Sequence, residues 1–156
     1  MTTALRSSVL AATAALSVAA GAFAQVPPND LCGNALPITG PGPFSFDVTN
    51  ATSGPNAITS FCDNGGAVGL PPVNVAKDLW YCWTATCTGV VEISTCGQTQ
   101  VDTVIRIYDG CACPPDIGDP LCCGDDECRL QTRVLCNVVC GHTYLIQIGK
   151  KLQTAN

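Results

Sequence analysis

Residues 78–95 read Asp78-Leu79-Trp80-Tyr81-Cys82-Trp83-Thr84-Ala85-Thr86-Cys87-Thr88-Gly89-Val90-Val91-Glu92-Ile93-Ser94-Thr95, two β-type runs joined by a turn. Val91, Ile93 and Thr95 alternate with Glu92 and Ser94, the period-two signature of a strand with one wet face. The stretch before it is dense in aromatics, which suit a pleated surface. Alternation there sets Leu79, Tyr81 and Trp83 on one side and Trp80, Cys82 and Thr84 on the other, so at least one tryptophan belongs to the core. Cys87-Thr88-Gly89 reads as the turn between the two runs.

The same signal repeats on both sides. In Thr103–Tyr108, Ile105 and Ile107 face the core with Arg106 opposite; Gly110 then opens a long irregular loop through Cys128. Arg133–Val139 and Thr143–Ile148, joined by Cys140-Gly141-His142, read as a tight hairpin. Upstream, Phe44–Thr52 and Ile58–Phe61 read as strands and Asp63–Pro72 as a loop. Residues 25–43 carry prolines at 27, 28, 37, 41 and 43 and read as an extended lead-in pinned by Cys32. Beyond residue 24 no run of about ten residues shows a 3.6 period. The expected architecture is all-β, a jelly-roll-like β-sandwich of short antiparallel strands over residues 44–149.

Composition narrows the class. The chain has 156 residues, 12 cysteines, 12% charged and 47% hydrophobic residues, and a formal charge of −5. So apolar a chain is not disordered, and its scattered cations exclude a nucleic-acid footprint. Residues 1–24 read as a signal peptide: Arg6, an apolar run over 9–20, and Ala22-Phe23-Ala24 before Gln25. The run is shorter than the roughly 20 residues of a spanning helix and no later segment competes, so no membrane span is expected after its removal. Neither a twin-arginine pair nor a lipidation cysteine is present near the cleavage point. The expected location is extracytoplasmic: extracellular, cell surface or periplasm.

In that compartment thiols pair, and the chain has no Cys-x-x-Cys and a single histidine, so disulfides outweigh zinc. The disulfide set is Cys32, Cys62, Cys82, Cys87, Cys96, Cys111, Cys113, Cys122, Cys123, Cys128, Cys136 and Cys140. Five of them (111, 113, 122, 123, 128) share one loop, so full oxidation sends at least one bridge outside it. The expectation is a loop stapled to itself and anchored to the sandwich. A vicinal bridge is strained, so Cys122 and Cys123 take different partners. Cys87 and Cys140, at analogous turns, are the best single pairing.

Acids form a second cluster: Asp102, Asp109, Asp116, Asp119, Asp125, Asp126 and Glu127 lie within 26 residues, with Arg106 and Arg129 the nearby cations. Ca²⁺ is the sharp reading, although the spacing is not an EF-hand's; a solvated loop with Asp capping its turns carries more weight. Catalysis has little support. His142 is the only histidine, no Gly-x-Ser-x-Gly elbow exists, and carboxylates without known separation say nothing of glycoside hydrolysis. Exposed Trp80 or Trp83 with Tyr108 would make a sugar platform, and His142 beside Ser or Asp in a polar cleft would make a small hydrolase. Asn50-Ala51-Thr52 matches a glycosylation sequon.

Five segments in order carry a family likeness: Asp78-Leu79-Trp80-Tyr81-x-Trp83-Thr84-Ala85, Gly89–Thr95, Asp102–Tyr108, Asp125-Asp126, and Gly141-His142-Thr143-Tyr144-Leu145-Ile146-Gln147-Ile148. Over about residues 29–149 the chain resembles the bacterial pre-peptidase C-terminal domain, in its cysteine-rich stand-alone form. The resemblance implies a non-catalytic jelly-roll-like sandwich serving export, surface attachment or binding of polysaccharide or fibrous protein. It also implies calcium ligands at Asp102, Asp125 and Asp126. The family continues into a Gly-rich turn and closing strand where this chain turns basic at Lys150-Lys151, so residues 150–156 are expected to be a tail beside an unpaired sheet edge. The leading reading is a secreted binding or attachment module with an extracellular protein or polysaccharide partner; a carbohydrate-binding module is second and a small secreted hydrolase third.

Overall fold

The computed structural model describes residues 25–53, 75–113 and 120–152. Among them a short 3-10 turn, Cys32–Asn34, precedes β1 (Leu36–Thr39), β2 (Val75–Thr84), β3 (Gly89–Ser94), β4 (Thr103–Asp109), β5 (Cys122–Asp125), β6 (Arg133–Val138) and β7 (Thr143–Lys151). The fold is an all-β sandwich: a five-stranded sheet ordered β1-β2-β7-β4-β5 packs on a two-stranded sheet, β3-β6. Pairing is antiparallel except between β1 and β2. Leu79, Tyr81, Trp83, Ile105, Ile107 and Ile146 from the large sheet meet Val134, Cys136 and Val138 from the small one to form the core.

One long ribbon builds both layers. In β2–β7, Trp83 faces Tyr144 and Thr84 faces Thr143; in β3–β6, beyond an irregular bend, Gly89 faces Val138 in the same register. The ribbon bends between sheets at residues 85–88 and 139–142, where Ala85 N–H donates to His142 O at 2.9 Å and Gly141 N–H to Ala85 O at 2.8 Å. The turn at Cys140-Gly141-His142 is therefore a corner that hands the chain from one sheet to the other, not the expected hairpin. Local turn chemistry is alike in both cases, with Gly141 at φ +78°; only the long-range pairing separates them.

Three other expectations are corrected. Residues 44–52 form no strand: a turn at 49–50 breaks them, with Asp47 accepting from Thr49 N–H at 2.9 Å. The long irregular loop contains β5, which pairs with β4. Lys150 and Lys151 continue β7, which lies inside the sheet between β2 and β4, so they are no tail beside an open edge. The stretches read as Ile58–Phe61 and Asp63–Pro72 lie outside the described residues. The lead-in joins the sheet as edge strand β1, where Pro37 costs no central ladder bond.

The far face of the large sheet is buried too. Trp80 stacks on Tyr108 at 6.3 Å between centroids, packed with Cys32 and Leu145. Arg106 does point opposite Ile105 and Ile107, yet it is 0% exposed, beside buried Asp78 and Gln147. Gln147 Nε2 donates to Asp78 Oδ2 at 2.7 Å, answering charge with a hydrogen bond. Asp78 is aimed there by a bulge: the β2–β7 register slips between Ala76 and Leu79, with Lys77 at φ +49°.

Bridges join Cys32–Cys113, Cys82–Cys111, Cys96–Cys128 and Cys122–Cys136. Cys123 is also disulfide-bonded. None of these four closes within the cysteine-rich loop; each carries it outward to another element, so the expected self-stapling is absent among the described residues. Cys122 and Cys123 occupy successive strand positions and so opposite faces, which gives them different partners. Cys87 and Cys140 are unbonded and exposed, contrary to the pairing expected of them. Both sit on the bend, whose turns carry them out to solvent.

Candidate functional site

Asp102, Asp125 and Asp126 converge, with one carboxylate oxygen of each within 4.8 Å of the others. Two local devices place them. Asp102 precedes β4, whose start is fixed by a buried hydroxyl cluster: Thr95 Oγ1 lies 2.7 Å from Thr103 Oγ1, and Thr132 Oγ1 donates to Thr103 O. Asp125 and Asp126 leave β5 in a turn that Glu127 holds, Oε1 accepting from Asp125 N–H at 3.2 Å and Oε2 from Arg133 N–H at 3.0 Å. Asp126 adopts φ +71°, a conformation Asp tolerates better than most residues.

The residue that reading the sequence missed is Lys151. Its Nζ lies 2.6 Å from Asp125 Oδ2 and 2.7 Å from Asp126 Oδ2, and its N–H donates to Asp102 O at 2.9 Å. Burial raises the Asp102 carboxyl above its ordinary range and the Asp126 charge adds to it. Burial likewise raises Asp125, against the pull of Lys151. Burial alone would lower Lys151, but hydrogen bonds and charge from Asp125 and Asp126 outweigh it and hold the ammonium well above its usual range. Lys151 thus pairs with two of the three carboxylates, and Lys150 adds only a charge pull on Asp102, which leaves a formal surplus of negative charge. Asp102 Oδ1 is buried without a hydrogen-bond partner. Three carboxylates and an orphan oxygen fit a hard cation, while Lys151 already holds two of the three.

A second feature lies between the sheets, where a groove of about 370 Å³ is floored by Phe46, Tyr81, Trp83, Ile146 and Ile148. The turn 40–44 forms one wall, tied down by Trp83 Nε1 donating to Gly40 O at 3.0 Å. Four consecutive residues, Glu92-Ile93-Ser94-Thr95, form the other. Side chains alternate along a strand, so a continuous run means that the backbone edge of β3 borders the groove. Thr95 N–H donates to Thr132 O across the pair at 2.9 Å. In an antiparallel ladder Val91 and Ile93 then also aim their amides at β6, and Val90 and Glu92 turn theirs outward. That outer edge pairs with no described strand.

The other sequence candidates fare differently. Trp80, Trp83 and Tyr108 are all buried, so they form no exposed sugar platform. His142 Nε2 lies 2.6 Å from Asp109 Oδ1, but both side chains are about half or more exposed and neither lines the groove. Asp116 and Asp119 lie outside the described residues. Among the described residues no helix is long and apolar enough to cross a membrane, and the bridges fit an oxidising, extracytoplasmic compartment. No family model, no curated protein and no solved structure matches the chain.

Proposed function

We propose that this protein is a secreted, non-catalytic binding or attachment module of the pre-peptidase C-terminal type, acting at the cell surface or in the extracellular space. The observation that carries the reading is the groove between the sheets. It is apolar, concave and bordered by an open strand edge, which together suit an extended protein segment adding alongside β3 with its apolar side chains inward. Few polar side chains line it, which favours a fibrous protein over a polysaccharide. The exposed His142–Asp109 pair, set away from the groove, supports the non-catalytic side of the reading.

The carboxylate cluster supports a structural rather than a chemical role. Asp102, Asp125 and Asp126 would hold Ca²⁺, which supplies positive charge to a turn next to β4. Lys151 is the resident counter-charge, so the ion competes with its ammonium for Asp125 and Asp126. The test is binding of oxidised protein to gelatin, elastin, cellulose and chitin, with and without calcium. Saturable binding to a fibrous protein, weakened at least tenfold by Phe44→Ala at the groove lip, supports the proposal. Binding to a polysaccharide alone selects the carbohydrate-binding alternative, and binding indifferent to the lip variant moves the site elsewhere.

A further inference from the structure

Nine described cysteines are disulfide-bonded, yet Cys87 and Cys140 carry exposed free thiols. Their places are tied together. The ribbon register is the same on both sides of the bend, with Thr84 facing Thr143 and Gly89 facing Val138, so Cys87 and Cys140 lie in the two short segments bracketed by facing strands. Bonds inside the bend hold the two segments together, each one position off that register: Gly141 N–H to Ala85 O at 2.8 Å, and Cys140 N–H to Thr88 Oγ1 at 2.9 Å, which sets Cys140 beside the chain neighbour of Cys87. A disulfide needs Cα atoms roughly 4.4–6.8 Å apart, and Cys87 is one residue from the Thr88 hydroxyl that the Cys140 N–H touches.

We propose that Cys87 and Cys140 form an exchangeable dithiol, a surface redox site distinct from the bridges that hold the fold. Its reactant class is a low-molecular-weight disulfide. The thiolate of one cysteine attacks a sulfur of the small disulfide, forming a mixed disulfide and releasing one small thiol. The second thiolate attacks the protein sulfur of that mixed disulfide and expels the other small thiol. Two protein thiols are oxidised, one small disulfide is reduced to two thiols, and both protons leave with them. Closing the bond ties the two crossings between sheets at one point. Access separates this pair from the rest: Cys136, for comparison, is 2% exposed and its bridge faces the core.

The test uses the intact oxidised protein and oxidised glutathione, read by mass spectrometry and thiol counting. The expected result is loss of two titratable thiols, a mass decrease of two hydrogens and a proteolytic fragment linking Cys87 to Cys140. Cys87→Ser and Cys140→Ser should each retain one stable glutathione adduct. Two adducts on the wild type, a disulfide-linked dimer, or unreactive thiols would overturn the proposal. If the protein is isolated with the bond closed, graded dithiothreitol should open it before the other bridges; opening only together with them also overturns it.

Discussion

Replacing both ends of the Cys122–Cys136 bridge by alanine removes the described bridge that joins strand to strand across the core, β5 of the large sheet to β6 of the small one. The two residues are 14 apart, and the chain-entropy relation for so short a loop gives about 3 kcal/mol. Cys136 lies in the core, so the missing sulfur atoms add about 1 kcal/mol of lost packing. The total of about 4 kcal/mol is a large share of the 5–15 kcal/mol typical of a domain. For a chain of this size it corresponds to a melting temperature lower by roughly 10–15 °C. Guanidinium unfolding of the double variant Cys122→Ala/Cys136→Ala against wild type, both with their other bridges intact, measures it. Hydrogen exchange should also quicken in β6 before β2 or β7, because the two-stranded sheet loses its covalent anchor. A loss below about 1 kcal/mol, or exchange that quickens equally in both sheets, would refute the argument that this bridge holds the layers together.

Lys151→Ala should destabilise the protein by about 2 kcal/mol, between exposed and buried ion-pair values, and should make its melting temperature respond more strongly to Ca²⁺; equal responses in variant and wild type would contradict competition for the site. Asp102→Asn should stabilise at pH 7, because the folded carboxyl is raised by burial and the penalty on its charged form is present above the folded pKa. That gain should vanish as pH falls below the unfolded value of about 3.9, and a gain that persists there would point to packing instead. Gly149→Ala places a methyl against the Val75 side chain and Asp78 Cβ at the β2 bulge, so unfolding should show a loss of about 2–3 kcal/mol.

Much of the layout was legible in the sequence because it rests on period two. The alternation in residues 91–95 and 103–108 gave strands and inward faces, and Leu79, Tyr81 and Trp83 do share the core. What stayed hidden was long-range. A glycine turn at 141 serves a hairpin and a sheet-to-sheet corner equally well, and only the shared register of β2–β7 with β3–β6 tells them apart. Arg106 looked like a wet-face residue because alternation says which side a residue faces, not whether that side is covered. The site shows the same split: Asp102, Asp125 and Asp126 could be named from the family likeness, but Lys151 lies 25 positions beyond Asp126 and reaches it only because β7 runs beside β4. Its signal in the sequence is the Lys150-Lys151 pair itself, whose charge reads as a tail although the two residues continue β7.

Under the proposed function, the groove beside β3 receives an extended protein segment. Amide hydrogen exchange of the oxidised protein, alone and in the presence of saturating gelatin or elastin, tests this at single amides. Val90 and Glu92, whose N–H groups face outward, should be strongly protected in the complex, together with residues 44–46 of the opposite wall, and Glu92→Pro should abolish binding while leaving the β3–β6 ladder intact. Protection that falls instead on the Asp102–Asp125–Asp126 turn, or on neither wall of the groove, would contradict it.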